Sequence, residues 1–210
     1  MKNKLTTFYI VRHGETDWNK KKLVQGQTDI PLNENGEAQA KEVVKKFTDI
    51  KFDLAFSSDL LRAKRTTEII ALEHKLTVET TKLLRERDFG KYEGKPSEVL
   101  RSYYAGLKKL THQERFINRL ENDVENDEEL ATRILTFLRE TAIIQPGKII
   151  LIGTHGGVLR MLLVHLGYFT YQELEEQHPK NGAHVILESD GVDFFIKEVT
   201  GVEKYHGVLG

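Results

Sequence analysis

The chain has 210 residues, 39% of them hydrophobic, which is enough for one well-buried core and short for two full domains. Its 31 Lys and Arg against 32 Asp and Glu leave a formal net charge of -1, so no global field draws nucleic acid or an anionic membrane, and any anion must be attracted locally. With no cysteine there is no disulfide, thiolate nucleophile or cysteine metal site, and with no apolar run of membrane-spanning length the expectation is a soluble, cytoplasmic protein.

Met1-Lys2-Asn3-Lys4 carries the charge of a leader n-region, but the apolar stretch behind it is too short for an h-region. Phe8-Tyr9-Ile10-Val11 is short, aromatic and β-branched, the pattern of a buried strand, and it delivers Arg12-His13-Gly14-Glu15 at its carboxyl end. After a polar loop, Asn33 is placed to cap a helix whose apolar positions Ala40, Val43, Val44 and Phe47 share one face. Phe52 to Phe56 reads as the next strand, ending at Ser57-Ser58, and a helix with Leu60, Leu61, Ala63, Ile69 and Ile70 follows. Thr77 to Thr81 is a short strand leading into the polar loop Leu84 to Gly90.

From about Lys95 to Glu125 the alternation stops. The segment is long and highly charged, with a modest apolar face of Tyr103, Tyr104 and Leu107, and reads as a lid-like helical insertion over one end of the sheet. The acidic residues that follow are expected to serve a helix start: Asn126 as cap, Glu129 completing a capping box, Asp127 and Glu128 complementing the dipole. Leu130, Ile134, Phe137 and Leu138 supply the buried face of that helix. Lys148 to Gly153 is a strongly apolar strand, Val158 to Leu166 a helix, and Ala183 to Glu188 with Phe194 to Val199 a hairpin across Asp190-Gly191. Strands alternating with helices predict an α/β fold: a three-layer α/β/α sandwich with a mostly parallel central sheet and an antiparallel edge from the hairpin, all one domain over 1–210.

Reactive residues cluster where strands end. Arg12-His13-Gly14, the run from Ser57 to Arg62, and Thr154-His155-Gly156-Gly157 all follow predicted strands, and in a parallel sheet these ends share one rim. That rim gathers two arginines and two histidines in a nearly neutral chain. Guanidinium groups bind phosphate oxygens with several charge-assisted hydrogen bonds, and helix amino-termini near Arg62 and His155 add N–H donors. A neutral histidine aimed at phosphorus serves as nucleophile, splitting one displacement into two through a phosphohistidine. Glu86, in the polar loop, is positioned to move the proton in both halves. Singly, each residue has a plainer reading: a structural strand-end histidine, salt-bridged arginines, and Glu86 as a surface ion pair within Arg85-Glu86-Arg87.

The segment Ile10 to Asn19 closely resembles the signature of the histidine phosphatase superfamily, the phosphoglycerate mutase-like family. The resemblance continues in order through Gln25-Gly26, Pro31 to Gly36, Ser57 to Ala63, Leu84-Arg85-Glu86, Phe89-Gly90, Tyr92-Glu93-Gly94 and Thr154 to Gly157. It implies His13 as the phosphoryl-accepting nucleophile, Arg12, Arg62 and His155 as the phosphate pocket, and Glu86 as proton donor. It further implies Asn19, Gln25 and Gly26 as pocket lining, and Gly14 and Gly156 as points where the backbone approaches the phosphate closely. Mutases of that family carry an adjacent arginine pair and a proline-rich stretch after the glutamate loop. Here the stretch holds Pro96 and dispersed Arg101, Lys108, Lys109, Arg115 and Arg119. The family's phosphatases commonly carry a Gly-Glu-Ser-like triplet where this chain has Val124-Glu125-Asn126, matching at Glu125 alone.

The expected activity is therefore hydrolysis of small phosphomonoesters, a sugar or glycerate phosphate for instance, with no metal and no cofactor. The partner is a small phosphorylated metabolite, with nucleic acid and membrane both excluded and the oligomeric state left open. A bisphosphoglycerate-primed mutase and a non-catalytic phosphate- or phosphoprotein-binding module are the alternatives. A metal hydrolase built on His13, His155 and Glu86 is disfavoured, because two fixed arginines would repel a divalent cation and clustered ligand motifs are absent.

Overall fold

Alternation within each strand decides which helices cover which face of the sheet. In the computed structural model, which describes residues 4–174 and 179–202, β1 (Thr6–Arg12) turns Phe8 and Ile10 to one side and Tyr9 and Val11 to the other. Met1 to Asn3 of the charged start lie outside the described residues. The chain continues through α1 (Asp17–Lys20), α2 (Glu34–Phe47), β2 (Leu54–Ser58), α3 (Leu61–Glu73) and β3 (Val78–Thr81). The stretch 95–125 then contains a 3-10 turn over Ser97–Leu100, α4 (Arg101–Leu107) and α5 (His112–Ile117). It is followed by α6 (Asp127–Ile144), β4 (Ile149–Thr154), α7 (Gly156–His165), α8 (Tyr171–Leu174), β5 (His184–Ser189) and β6 (Phe194–Thr200). Among the described residues no helix is long and apolar enough to cross a membrane.

The six strands lie in the order β3-β2-β4-β1-β5-β6. The first four are parallel, β5 runs against β1, and β6 pairs antiparallel with β5 on the outside, so the hairpin forms the antiparallel edge. One apolar layer joins Phe8, Ile10, Ile150 and Ile152 to Leu130, Ile134 and Leu138 of α6 and to Leu159 and Leu162 of α7. The other joins Val11, Ala55 and Leu151 to Val43 and Phe47 of α2 and to Ile70 and Ala71 of α3. The result is the three-layer α/β/α sandwich, with β1, β2 and β4 ending on a single rim.

Helix starts match the local chemistry. Asn33 accepts from the Gly36 N–H at 2.9 Å, and Asn126 and Glu129 form the expected capping box on α6. Two short helices, α1 and α8, break from the sequence expectation, since four residues are too few to carry a periodic signal. In α3 the apolar reading of Leu61 also fails. Leu61 is 48% exposed while the adjacent Arg62 is fully buried, because backbone carbonyls take up the guanidinium.

The loop after β1 is pressed onto the first turn of α2 by glycines on both sides. A Cβ on Gly14 would lie 2.3 Å from the carbonyl oxygen of Gly36, and one on Gly36 would lie 2.1 Å from that of Glu15. Gly14 is thus needed for this backbone crossing.

Gly36→Ala is expected to lower stability by about 1–3 kcal/mol in urea unfolding, as overpacking against rigid backbone does. Gly106→Ala is the control: a Cβ there meets nothing within 4 Å, and it should raise stability by up to about 1 kcal/mol through helix propensity alone.

Candidate active site

His13 sits immediately beyond β1, almost fully buried, with its backbone N–H bonded to the Thr154 carbonyl at 3.0 Å. Its Nδ1 lies 2.6 Å from the Gly14 carbonyl oxygen. A carbonyl only accepts, so Nδ1 carries the hydrogen and Nε2 keeps its lone pair. Burial, then the positive charges of Arg62 and Arg12, hold the imidazole well below its ordinary pKa. His13 is therefore neutral, with a fixed tautomer and one free nucleophilic nitrogen.

Two guanidinium groups flank it, and among the described residues no carboxylate is hydrogen-bonded to either. Arg62 donates to the carbonyls of Thr28 at 2.9 Å and Gly26 at 2.7 Å, and Arg12 donates through Nη1 to the carbonyl of Pro179. Burial lowers the pKa of Arg62 to about 10 and lowers that of Arg12, while the charge of Glu86 opposes both shifts, and both stay cationic at neutral pH. The His155 ring stands 5.2 Å from that of His13, at the start of α7. Burial, followed by Arg62 and His13, keeps His155 neutral. Arg12 Nε, Arg62 Nε and both ring nitrogens of His155 are buried with no hydrogen-bond partner among the described residues. An oxyanion held among these groups would satisfy them, and its charge would favour protonation of His155.

Glu86 faces the same space. Its carboxylate accepts from the N–H of Arg87 at 2.8 Å and of Gly157 at 2.9 Å, so each oxygen is aimed by one backbone donor. The surface ion-pair reading of Arg85-Glu86-Arg87 does not hold. Arg85 forms a bidentate pair with Asp59 at 2.7 Å through each contact, and Arg87 is buried against Asp127, which also accepts from the Tyr171 hydroxyl at 2.7 Å. Asp127 was expected only to complement the α6 dipole; in the structure it also neutralises Arg87.

A cavity of about 940 Å³ opens above these residues. Arg12, His13, Asn19, Gln25, Gly26, Arg62, Glu86 and Gly156 all line it, with Tyr103, Leu107 and Arg115 of the 95–125 stretch on the outer wall. His155 lies just beneath the lining. Asn19 Oδ1 accepts from the Thr16 N–H at 3.1 Å, which leaves the amide nitrogen to offer. Gly14 is not part of the lining. Gly156 does have a close neighbour, since a Cβ there would lie 3.1 Å from Arg12 Nε. Among the described residues no group of His, Asp and Glu is arranged to hold a metal ion.

Several residues that shape the site were assigned no role from the sequence. Glu93 collects the N–H groups of Gln27 at 2.8 Å, Thr28 at 2.7 Å and Phe89 at 3.2 Å, tying the loop that holds Arg62 to the loop that holds Glu86. Asn181 donates to the His13 carbonyl at 3.0 Å, and Gly157 leaves no room for a Cβ beside Glu86. Glu93 falls inside the Tyr-Glu-Gly motif, the one place where its importance could have been read.

Comparison with known proteins gives a consistent result. The family model of the histidine phosphatase superfamily (branch 1) matches residues 8–200. The chain is 36% identical over 162 residues to the uncharacterized phosphatase PhoE of Bacillus subtilis, covering 77% of this chain and 78% of that one. It is 34% identical over 155 residues to the probable phosphoglycerate mutase GpmB of Salmonella arizonae, covering 74% and 72%. In three dimensions it is similar to a phosphoglycerate mutase from Bacillus anthracis, with a TM-score of 0.78 over 94% of this chain and 93% of that one. At 24% identity, that likeness speaks to the fold alone.

Two-bond proton–nitrogen NMR spectra of the phosphate-free protein at pH 6 should show His13 neutral with its hydrogen on Nδ1. An imidazolium at that pH would contradict the burial argument, because an unperturbed histidine, with a pKa of about 6.5, would already be mostly charged.

Proposed function

The chain belongs to the histidine phosphatase superfamily, and on that premise we propose that it hydrolyses small phosphomonoesters through a phosphohistidine on His13. The observation that carries the proposal is the free Nε2 of a neutral His13, set between two guanidiniums, buried Arg62 and half-buried Arg12, that are held by carbonyl oxygens. Such a pocket favours a dianion and offers it one nucleophile.

In the first displacement the Nε2 lone pair bonds to phosphorus as the ester P–O bond breaks. The electron pair leaves on the alcohol oxygen, which takes a proton from the Glu86 carboxyl group. In the second, water bonds to phosphorus and gives a proton to Glu86, and the P–N electron pair returns to His13. The sum is ester plus water to alcohol plus phosphate. Arg12, Arg62 and His155 hold the equatorial oxygens throughout, where charge accumulates in the transition state.

The cavity supports a small substrate. Its volume of about 940 Å³ falls in the range of small-molecule sites, and its outer wall of Tyr103, Tyr171, Arg115 and Arg160 suits a sugar or glycerate phosphate. A second reading, phosphoryl transfer between hydroxyls of phosphoglycerate, is favoured by the relatives named as probable mutases. The dispersed bases of the 95–125 stretch weigh against it, because a site that releases its intermediate lets water reach the phosphohistidine.

His13→Ala should abolish turnover of every phosphomonoester and remove the acid-labile phosphate trapped from wild type by rapid quench; full activity in that variant would end the proposal. Glu86→Gln should lose about 10²–10⁴-fold on alkyl phosphates and far less on nitrophenyl phosphate, whose leaving group needs no proton. Assayed with phosphoglycerate, bisphosphoglycerate-dependent transfer faster than hydrolysis would establish the mutase instead. Phosphate binding without any turnover would point to the non-catalytic module.

A further inference from the structure

Glu125 matched a family motif in sequence without acquiring a role, and it lies outside the cavity lining. Its carboxylate holds Arg133 of α6 through contacts of 2.6 Å to Nε and 2.9 Å to Nη2. The remaining donors of that guanidinium all go to the segment bearing Glu86. Nη1 reaches the carbonyls of Leu83 at 2.8 Å and Arg85 at 2.7 Å, and Nη2 reaches that of Glu86 at 3.0 Å. All five N–H groups of the planar fork are thereby engaged. Glu125 adds a bond from the Asp88 N–H to its Oε2 at 3.2 Å, while its own N–H donates to the Asp88 carbonyl at 2.9 Å.

Residues 83–88 contain no regular strand or α-helix that would fix them, and a bare loop would let the carboxyl group wander. Here three carbonyl anchors, at Leu83, Arg85 and Glu86, and one N–H anchor at Asp88 hold the backbone around Glu86, while the N–H groups of Gly157 and Arg87 aim its carboxylate. We propose that Arg133, oriented by Glu125, is a positioning residue for the proton transfers at Glu86. It touches no substrate and acts through the backbone it grips. A displacement on the order of 1 Å at a reacting group can cost about 10²-fold, and that sets the expected scale. The inference rests on the reading of Glu86 as the acid and base.

The test compares Arg133→Met, Arg133→Lys and Glu125→Gln with wild type and Glu86→Gln. It measures kcat on phosphate esters graded from nitrophenyl to alkyl, together with competitive inhibition by inorganic phosphate. Arg133→Met should lose about 10²-fold in kcat on alkyl esters and change little on nitrophenyl phosphate, with phosphate inhibition retained. Arg133→Lys keeps the charge but has three donors in place of the planar five, so it should recover only part of the loss. Glu125→Gln should give the same leaving-group signature at smaller amplitude, and it serves if Arg133→Met fails to fold. An equal loss on all esters, weakened phosphate inhibition, or full recovery in Arg133→Lys would overturn the inference in favour of a structural or purely electrostatic role. If Glu86→Gln itself shows no leaving-group dependence, the reading of Glu86 falls first, and that result is distinct from a failure of Arg133 alone.

Discussion

The structure depends on keeping positive charge uncancelled inside a protein. Arg62 is buried and Arg12 half-buried, and among the described residues their bonded partners are neutral carbonyl oxygens, which satisfy N–H groups without removing charge. Around them the opposite rule applies. Arg85 has Asp59, Arg87 has Asp127 and Arg133 has Glu125, each a close ion pair. The arginines of these three pairs are neutralised by carboxylates, whereas Arg12 and Arg62 are held by carbonyls. Burying an unneutralised charge is costly in general, so the three carbonyls have to be held rigidly.

That rigidity comes from loops bound to one another more than from the sheet. The segment Gly26 to Thr28, which supplies two of the carbonyls, is fastened by the Glu93 carboxylate, and Glu93 also reaches Phe89 beyond Glu86. The Thr154 hydroxyl at the end of β4 donates to the Leu84 carbonyl at 2.8 Å, linking the strand that precedes His155 to the loop that precedes Glu86. Arg62, His13 and Glu86 are therefore parts of one hydrogen-bonded frame, and the free energy of any one contact is shared with the others.

Much of this was legible from the chain because strand ends are. Val11-Arg12-His13, Ser58 to Arg62 and Gly153-Thr154-His155 each place a polar group directly after an apolar run, and a parallel sheet brings such ends together. Local apolar patterning was a poorer guide to single side chains. It counted Leu61 among the apolar residues of its helix although Leu61 is 48% exposed, and it gave no sign that Arg62 would be fully buried, since hydrophobicity carries no information about carbonyls supplied from residues 26–28. Gly14 was read from the freedom of glycine, and the backbone of Gly36 that crosses it left no mark in the sequence around it. Arg133 lies on the polar side of a helix whose buried face was read correctly. Nothing within α6 discloses that its guanidinium closes a loop some fifty residues earlier.

The reversed direction of β5 has a separate consequence. Because β5 runs against β1, it is the entry to the strand that arrives at the rim: Gly182 and Ala183 bond to the backbone of Arg12, Asn181 to His13 and Pro179 to the Arg12 guanidinium. The exit from β5, the turn at Asp190 to Asp193, is carried to the opposite end of the sheet beside Thr6. There the Asp190 carboxylate closes the turn on itself, and Val192 stands exposed. One hairpin therefore has one end bonded to Arg12 and His13 and the other at the opposite end of the sheet. The turn is the natural place on this fold to attach a fluorophore, an affinity handle or a second domain while the pocket goes on working.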